Sequence, residues 1–255
     1  MSGHDKGHLE REIELHKRLA SHYEDRYRDA FSQVFQQEWN RALLAINRRP
    51  VDRVLELGCG SGILLKELKA RSRFVVGFDV SPDMMRRARP LGAPLVTGNG
   101  SVLPFRDASF DLVSCRGVLH HLPDVPAALR EIHRVLRPGG ELILSEPSND
   151  WWLVRFAREL MYRLSDKFDE DDEGFRSEPF RALLHSLGFG DVRMERFGYS
   201  AYVLAGFPDH LPILRYVPGN VCLTKMLVRL DRLWARVPGL RGMSLQLLFS
   251  AKRAG

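Results

Sequence analysis

Residues 54–62 read VLELGCGSG, an apolar run that meets a glutamate and then breaks into glycines at positions 58, 60 and 62. Val54, Leu55 and Leu57 suit a strand buried inside a parallel sheet, and three glycines in five residues mark a sharp turn into the helical spacing that begins at Ile63. A backbone without Cβ atoms can approach a ligand closely and adopt dihedrals closed to other residues. A glycine turn after the first strand of an open sheet is therefore a candidate binding loop. The carboxylate of Glu56 beside it restricts what that ligand can be.

Outward from this turn the chain alternates. Short β-rich runs lie at Arg53–Leu57, Phe74–Asp79, Leu95–Thr97, Asp111–Cys115 and Glu141–Ser145, with helical segments at Ile63–Ala70, Pro82–Arg89 and Val125–Leu136. That alternation predicts parallel strands joined by crossover helices, hence a sheet covered on both faces. Ser81-Pro82-Asp83 supplies a capping serine, a proline at the first helical position and an acid in the first turn. Arg137–Gly140 should end one helix and turn into the next strand. Arg176–Leu187 reads as a helix closed by Gly188, and Asp191–Val203 and Ser244–Arg253 as strands. Residues 9–47 have helical spacing with aromatics at Tyr23, Tyr27, Phe31, Phe35 and Trp39, stopped by Arg49-Pro50.

The 255 residues suffice for one elaborated domain. Three widely spaced cysteines, Cys59, Cys115 and Cys222, argue for a reducing compartment. The charged N-terminus lacks the apolar core of a signal peptide, and no stretch reaches the ~20 apolar residues of a membrane span. A soluble cytoplasmic protein is expected. The net charge of +6 is uneven: residues 201–255 hold eight Lys/Arg against two Asp/Glu, so the whole excess sits in the last fifth of the chain.

Asp79 closes the second predicted strand, where a carboxylate can accept both hydroxyls of an adenosine ribose. NAD and S-adenosylmethionine both fit to this point. The dinucleotide fingerprint G-x-G-x-x-G wants a third glycine where this chain has Ile63. Glu56 weighs on the same side, because it would repel a pyrophosphate and attract an ammonium or sulfonium. At an effective dielectric near 20, unit charges about 4 Å apart interact by about 4 kcal/mol, so the sign of this term is decisive.

With VLELGCGSG, GFDVSPDMM (77–85), GSVLPFRDASFDLVSCRGVLHHLPD (100–124) and ALREIHRVLRPGGELILSEP (128–147) in order, the chain resembles the class I S-adenosylmethionine-dependent methyltransferases. Within them it is similar to the type 11 group of small-molecule enzymes, which includes quinone-biosynthesis C-methyltransferases. The resemblance covers about residues 20–147. It implies a doubly wound, seven-stranded, mostly parallel α/β sheet with an antiparallel edge. It divides the chain into an N-terminal helical lid over 1–49 and a donor-binding domain over 50–255. It implies that Glu56, Gly58, Cys59, Gly60 and Gly62 line the methionine part of the donor, with Cys115 and Arg116 approaching the same end. Asp79 would hold the ribose, Val80 and Met84 would pack on the adenine, and Asn99, Gly100 and Ser101 would meet its edge. Asn99 stands where the family often has an acid, which gives a neutral and weaker acceptor. Tyr23 would belong to the lid.

His120 and His121 follow the fourth strand. His121 is the preferred candidate base, against a purely structural role for both. The segment after that strand, Ser114–Leu119, is unlike the Asn-Pro-Pro-Tyr motif of many amino-group methyltransferases. Asp169–Glu173 is read as a solvated acidic tract, and no metal site is expected.

Two segments, 148–175 and 205–242, are expected to cover the acceptor. In the second, Met226, Leu227, Leu230, Leu233, Trp234 and Val237 share one helical face, while Lys225, Arg229, Arg232 and Arg236 lie elsewhere. The plain reading is a helix packed on the body. Contact of residues 221–237 with a membrane surface or lipid-like substrate is a second reading, and self-association a third. The expected reaction is methyl transfer to an oxygen or carbon nucleophile of a small acceptor, with S-adenosylhomocysteine as co-product. A non-catalytic donor-binding protein, and a nucleic-acid methyltransferase using the basic C-terminal segment, stand as alternatives.

Overall fold

The computed structural model describes residues 27–47, 49–156, 174–206 and 212–255. Tyr23, the acidic tract Asp169–Glu173, and parts of the N-terminal helical region and of both covering segments lie outside the described residues.

Helix α1 (Ala30–Ile46) is followed by β1 (Arg53–Leu57), α2 (Leu65–Arg71), β2 (Phe74–Asp79), α3 (Pro82–Ala88), β3 (Leu95–Thr97) and β4 (Phe110–Arg116). Then come α4 (Val125–Val135), β5 (Leu136–Pro147), α5 (Ser177–Ser186), β6 (Phe189–Phe197), α6 (Asn220–Trp234) and β7 (Gln246–Arg253). The seven strands lie in the order β3-β2-β1-β4-β5-β7-β6. Strands β1 to β5 are parallel, and β7 runs antiparallel to both β5 and β6. The expected α/β sheet with an antiparallel edge is what forms.

Strand β1 has a neighbour on each side and an apolar layer on each face, which is why nearly all of it is buried. Val54 packs on one face with α1, whose Phe31, Phe35, Trp39 and Leu43 recur every four residues along a single stripe. Leu55 and Leu57 pack on the other, with Leu129 and Ile132 of α4 and Phe180 and Leu184 of α5. Burying each such side chain contributes about 2 kcal/mol. At α3, the Ser81 hydroxyl accepts from the Met84 amide at 3.3 Å, as the sequence leads one to expect.

Several boundaries differ from the sequence reading. Helix α4 ends at Val135 and Leu136 already pairs with Phe110, so Arg137–Gly140 forms an irregularity inside β5. Helix α2 starts at Leu65, because the glycine turn extends through a Gly62 amide to Cys59 carbonyl bond of 2.8 Å. Strand β6 stops at Phe197, six residues short of Val203. There Gly198 takes a left-handed φ of 74°, and Tyr202–Gly206 winds into a helical turn.

A carboxylate explains that last departure. Asp231 of α6, 5% exposed, accepts from the amides of Tyr199, Ser200 and Ala201 at 3.0, 3.0 and 3.1 Å and from the Ser200 hydroxyl at 2.7 Å. These amides begin a helical turn and have no partner within it. Asp231 therefore fastens α6 to the exit of β6, and Thr224 and Val228 share its buried side. Helix α6 also lies on α1, where Arg232 meets Glu38 at 2.8 Å. The helix is packed on the body, and of the apolar residues that share one face in the sequence Leu227 rests on the core, while Met226, Leu230, Leu233 and Val237 are exposed. Among the described residues no helix is long and apolar enough to cross a membrane. Asp231→Ala would leave three amides unpaired, two of them buried, and we expect it to cost about 3 kcal/mol in chemical denaturation.

Candidate functional site

Strand order reverses between β1 and β4, so a crevice opens beyond their carboxyl ends. The glycine turn forms its floor. Gly58 sits at φ 71°, and a Cβ there would lie 2.1 Å from Val118 Cγ2, so the turn and the loop after β4 interlock only because position 58 lacks a side chain. The Gly58 and Cys59 amides donate to the Phe78 carbonyl at 2.7 and 3.1 Å, which binds the turn to the end of β2.

Asp79 completes that connection. One carboxylate oxygen accepts from the Gly60 amide at 2.8 Å and the other from the Ser81 amide at 2.8 Å. The carboxylate is thereby oriented at the edge of the crevice, and each oxygen keeps a further lone pair. Met84 lies against Gly60, at 3.5 Å from where a Cβ would be, and Val80 is half-buried beside it. Across from them Asn99 Oδ1 accepts from the Ser101 amide at 2.9 Å, and the Ser101 hydroxyl, buried, has no partner. Gly100 is buried near Leu57 and Leu122. Asn99 thus uses its oxygen locally, in a turn that sequence reading did not anticipate.

Glu56 is the unusual member. It is 3% exposed, and its Oε2 makes no hydrogen bond. Burial pushes its carboxyl well above the usual carboxylate range; the nearby Arg116 guanidinium opposes that rise and the Asp79 charge adds to it. Glu56 aligns with Ser114 on β4, so the alternation of the strand brings Arg116 to the same sheet face. Arg116 does not bond Glu56 directly in any contact described. Its guanidinium stacks on Trp39, 4.2 Å from the ring centroid, and donates to the side-chain oxygens of Gln36 and Asn40. Helix α1 therefore holds the cation, and the Gln36 amide nitrogen is itself buried without an acceptor. Trp39 is fixed in turn by an indole N–H to the Ser145 hydroxyl at 2.9 Å.

Of the two cysteines, Cys115 is placed differently from the expectation. Cys115 points to the opposite sheet face from Arg116 and is wholly buried in the core, so its thiol does not reach the crevice. Burial raises both thiols, Cys59 as well as Cys115, which makes neither a ready nucleophile.

On the far side of β5 lies an arrangement that sequence reading missed. Glu146, fully buried, accepts from the amides of Val118 and Leu119 at 3.0 and 2.9 Å and meets His120 Nδ1 at 2.7 Å. His121 stacks beside His120 with ring centroids 4.0 Å apart, but Glu146 orients His120. The available sequence signal was position: Glu146 sits at the carboxyl end of a predicted strand, as Glu56 and Asp79 do. Among the described residues no group of three His, Cys, Asp or Glu side chains could hold a metal ion.

These residues fit a cationic nucleoside. The glycine turn leaves room at its backbone, a carboxylate stands at the end of β2 for ribose hydroxyls, and a buried carboxyl oxygen lacks a donor.

Comparison with known proteins agrees. Residues 55–144 match the family described as a methyltransferase domain. A demethylmenaquinone methyltransferase of Corynebacterium kroppenstedtii is 38% identical over 109 residues, 42% of this chain and 48% of the relative. One from Lactiplantibacillus plantarum is 30% identical over 213 residues, 72% of this chain and 89% of the relative. The chain spans about half the length of the first relatives it matches, 48% to 56%. Among solved structures, a SAM-dependent methyltransferase from Thermotoga maritima superposes with a TM-score of 0.68 at 17% identity, covering 94% of this chain and 99% of that one, a likeness of fold. On the sequence relatives, the crevice described above lies in a chain that belongs to the class I S-adenosylmethionine-dependent methyltransferases.

Proposed function

We propose that this protein binds S-adenosylmethionine over the β1–α2 turn and catalyses methyl transfer to an oxygen or carbon nucleophile of a small apolar acceptor, leaving S-adenosylhomocysteine. The observation that carries this is the buried Glu56 oxygen without a donor. A pyrophosphate at this turn would be repelled, whereas the donor's ammonium and sulfonium would be drawn in.

In this reading Glu56 faces the methionine end of the donor, together with Gly58, Gly60, Gly62 and the backbone of Cys59. Asp79 accepts from the ribose hydroxyls, Val80 and Met84 cover the adenine, and the Asn99–Ser101 turn meets its edge. Arg116, held by α1, bounds the methionine end opposite Glu56, and α1 acts as part of a lid over 1–49. The bound donor supplies an electrophilic methyl carbon whose C–S bond breaks with its electron pair returning to sulfur. His120, in place of the expected His121, takes the acceptor proton: Glu146 occupies Nδ1, so proton exchange with a substrate runs through Nε2. Glu146 is a positioning residue, comparable to the carboxylate that orients a catalytic imidazole in hydrolytic triads. The relatives named for demethylmenaquinone make the reduced, hydroquinone form of that compound, whose ring carbons and hydroxyls are nucleophilic, the first acceptor to try.

Titration calorimetry tests the donor. Asp79→Ala should weaken S-adenosylmethionine binding at least about tenfold; unchanged affinity would remove the assignment. The protonated fraction of Glu56 must ionise beside a cation, so binding should release protons and tighten as pH rises towards the raised Glu56 value. Buffers of different ionisation enthalpy report that release, and Glu56→Gln should abolish it.

The free protein carries the opposite signature. Between the ordinary carboxylate value and the raised one, the folded state holds a proton that the unfolded chain has lost. Stability should therefore fall as pH rises through that window, and less so in Glu56→Gln. Thermal melts across pH without ligand decide it, and a steeper fall in the variant would contradict the reading.

For catalysis, His120→Ala should lower kcat with chemically reduced demethylmenaquinone roughly a hundredfold while leaving donor affinity unchanged. His121→Ala should act weakly. Glu146→Gln should displace the pH–rate limb, with partial recovery in Glu146→Asp. Greater loss in the His121 variant would return the base to that position.

A further inference from the structure

We propose that the outward face of α6 docks on an anionic membrane surface. Helix α6 is attached to the body by Thr224, Val228 and Asp231. At 3.6 residues per turn the opposite side presents Met226, Leu230 and Leu233, continued by Val237 just past the helix. These are 58%, 37%, 56% and 45% exposed, a contiguous apolar stripe where an ordinary surface helix carries its polar face. Lys225, Arg229, Arg232 and Arg236 form a second stripe directly alongside it. Arg232 is paired with Glu38 of α1; among the described residues no ion pair engages Lys225, Arg229 or Arg236. The preceding turn adds Ile213 and Tyr216, 52% and 78% exposed, and the Asn220 side chain ties that turn to the start of α6 by a 3.1 Å bond to the Leu214 carbonyl.

From Pro212 to Arg241 the chain has six basic residues and one acid, and the acid is the inward-facing Asp231. Charge and apolarity thus converge on one side of one helix. Lipid matches both stripes: leucine and methionine enter the acyl boundary while the neighbouring cations meet anionic headgroups. A second copy of the chain would bring two cationic stripes face to face in a two-fold contact. A nucleic acid would satisfy the cations and leave the apolar stripe in water. Neither occupant uses both halves of the surface.

Vesicle flotation of the full chain tests this, and it is read without donor or acceptor, so its failure leaves the proposed reaction untouched. The protein should float with vesicles of phosphatidylcholine and phosphatidylglycerol, less so as salt rises, and not with phosphatidylcholine alone. Leu230→Asp with Leu233→Asp, and separately Arg229→Glu with Arg236→Glu, should each reduce flotation at least about tenfold. Both pairs change exposed side chains, and an unchanged melting temperature and circular dichroism spectrum verify their folding. The proposal is overturned if the wild type does not float, or if well-folded variants float equally. It is also overturned if the Asp variants instead dissolve a dimer seen by sedimentation, or if an RNA oligonucleotide binds in place of vesicles.

Discussion

A carboxyl group enclosed at the end of the first strand, with one oxygen left without a donor, is the constraint around which this protein is arranged. An unpaired buried charge is costly, and the cost is moderated here by protonation and by the charge of the Arg116 guanidinium. Were Arg116 free to fold onto Glu56, it would neutralise the position and fill the space a ligand needs. Trp39, Gln36 and Asn40 keep it where it is. Each of those three belongs to α1, so the helix preceding the sheet is a component of the site as well as of the core.

The two faces of the sheet edge then divide the work. On the α1 face lie Glu56, Arg116 and Ser145; on the other lie Glu146 and His120. Alternation along β4 and β5 produces that division, since neighbouring residues such as Ser145 and Glu146 must point to opposite sides. The glycine turn joins the two, because Val118, two residues before His120, rests against the bare Cα of Gly58. A ligand that settled on the turn would be in mechanical contact with the loop that carries His120.

Much of this was legible before any coordinates. Arg53–Leu57, Phe74–Asp79 and Leu95–Thr97 formed strands with the expected bounds, because hydrophobic runs between glycine and proline turns leave few alternatives. The glycine turn, Asp79 and Glu56 were singled out as candidates from spacing and charge, and the fold brings them to one crevice. The rest was hidden for definite reasons. A histidine's partner 26 residues away leaves no periodic trace, so the sequence favoured His121, whereas Glu146 lies against His120. Helix α6 packs on the body as the plain reading had it, but its most buried positions are Thr224, Val228 and Asp231, while Leu230 and Leu233 face out. A hydrophobic stripe shows that a surface is apolar without showing what covers it. Strand β6 was drawn too long because the three amides that end it are satisfied from α6, some thirty residues downstream.

The placement of β7 between β5 and β6 bears on how the molecule is assembled. Strand β6 is synthesised first, yet it borders only β7, which begins at residue 246. Until that strand leaves the ribosome, β6 has no place in the sheet and β5 keeps an open edge. At ordinary translation speeds the 56 residues from 198 to 253 take roughly 3–11 s. The first five strands can therefore consolidate well ahead of the remainder, and during that interval the nascent chain exposes a β5 edge that chaperones or premature pairing would find first.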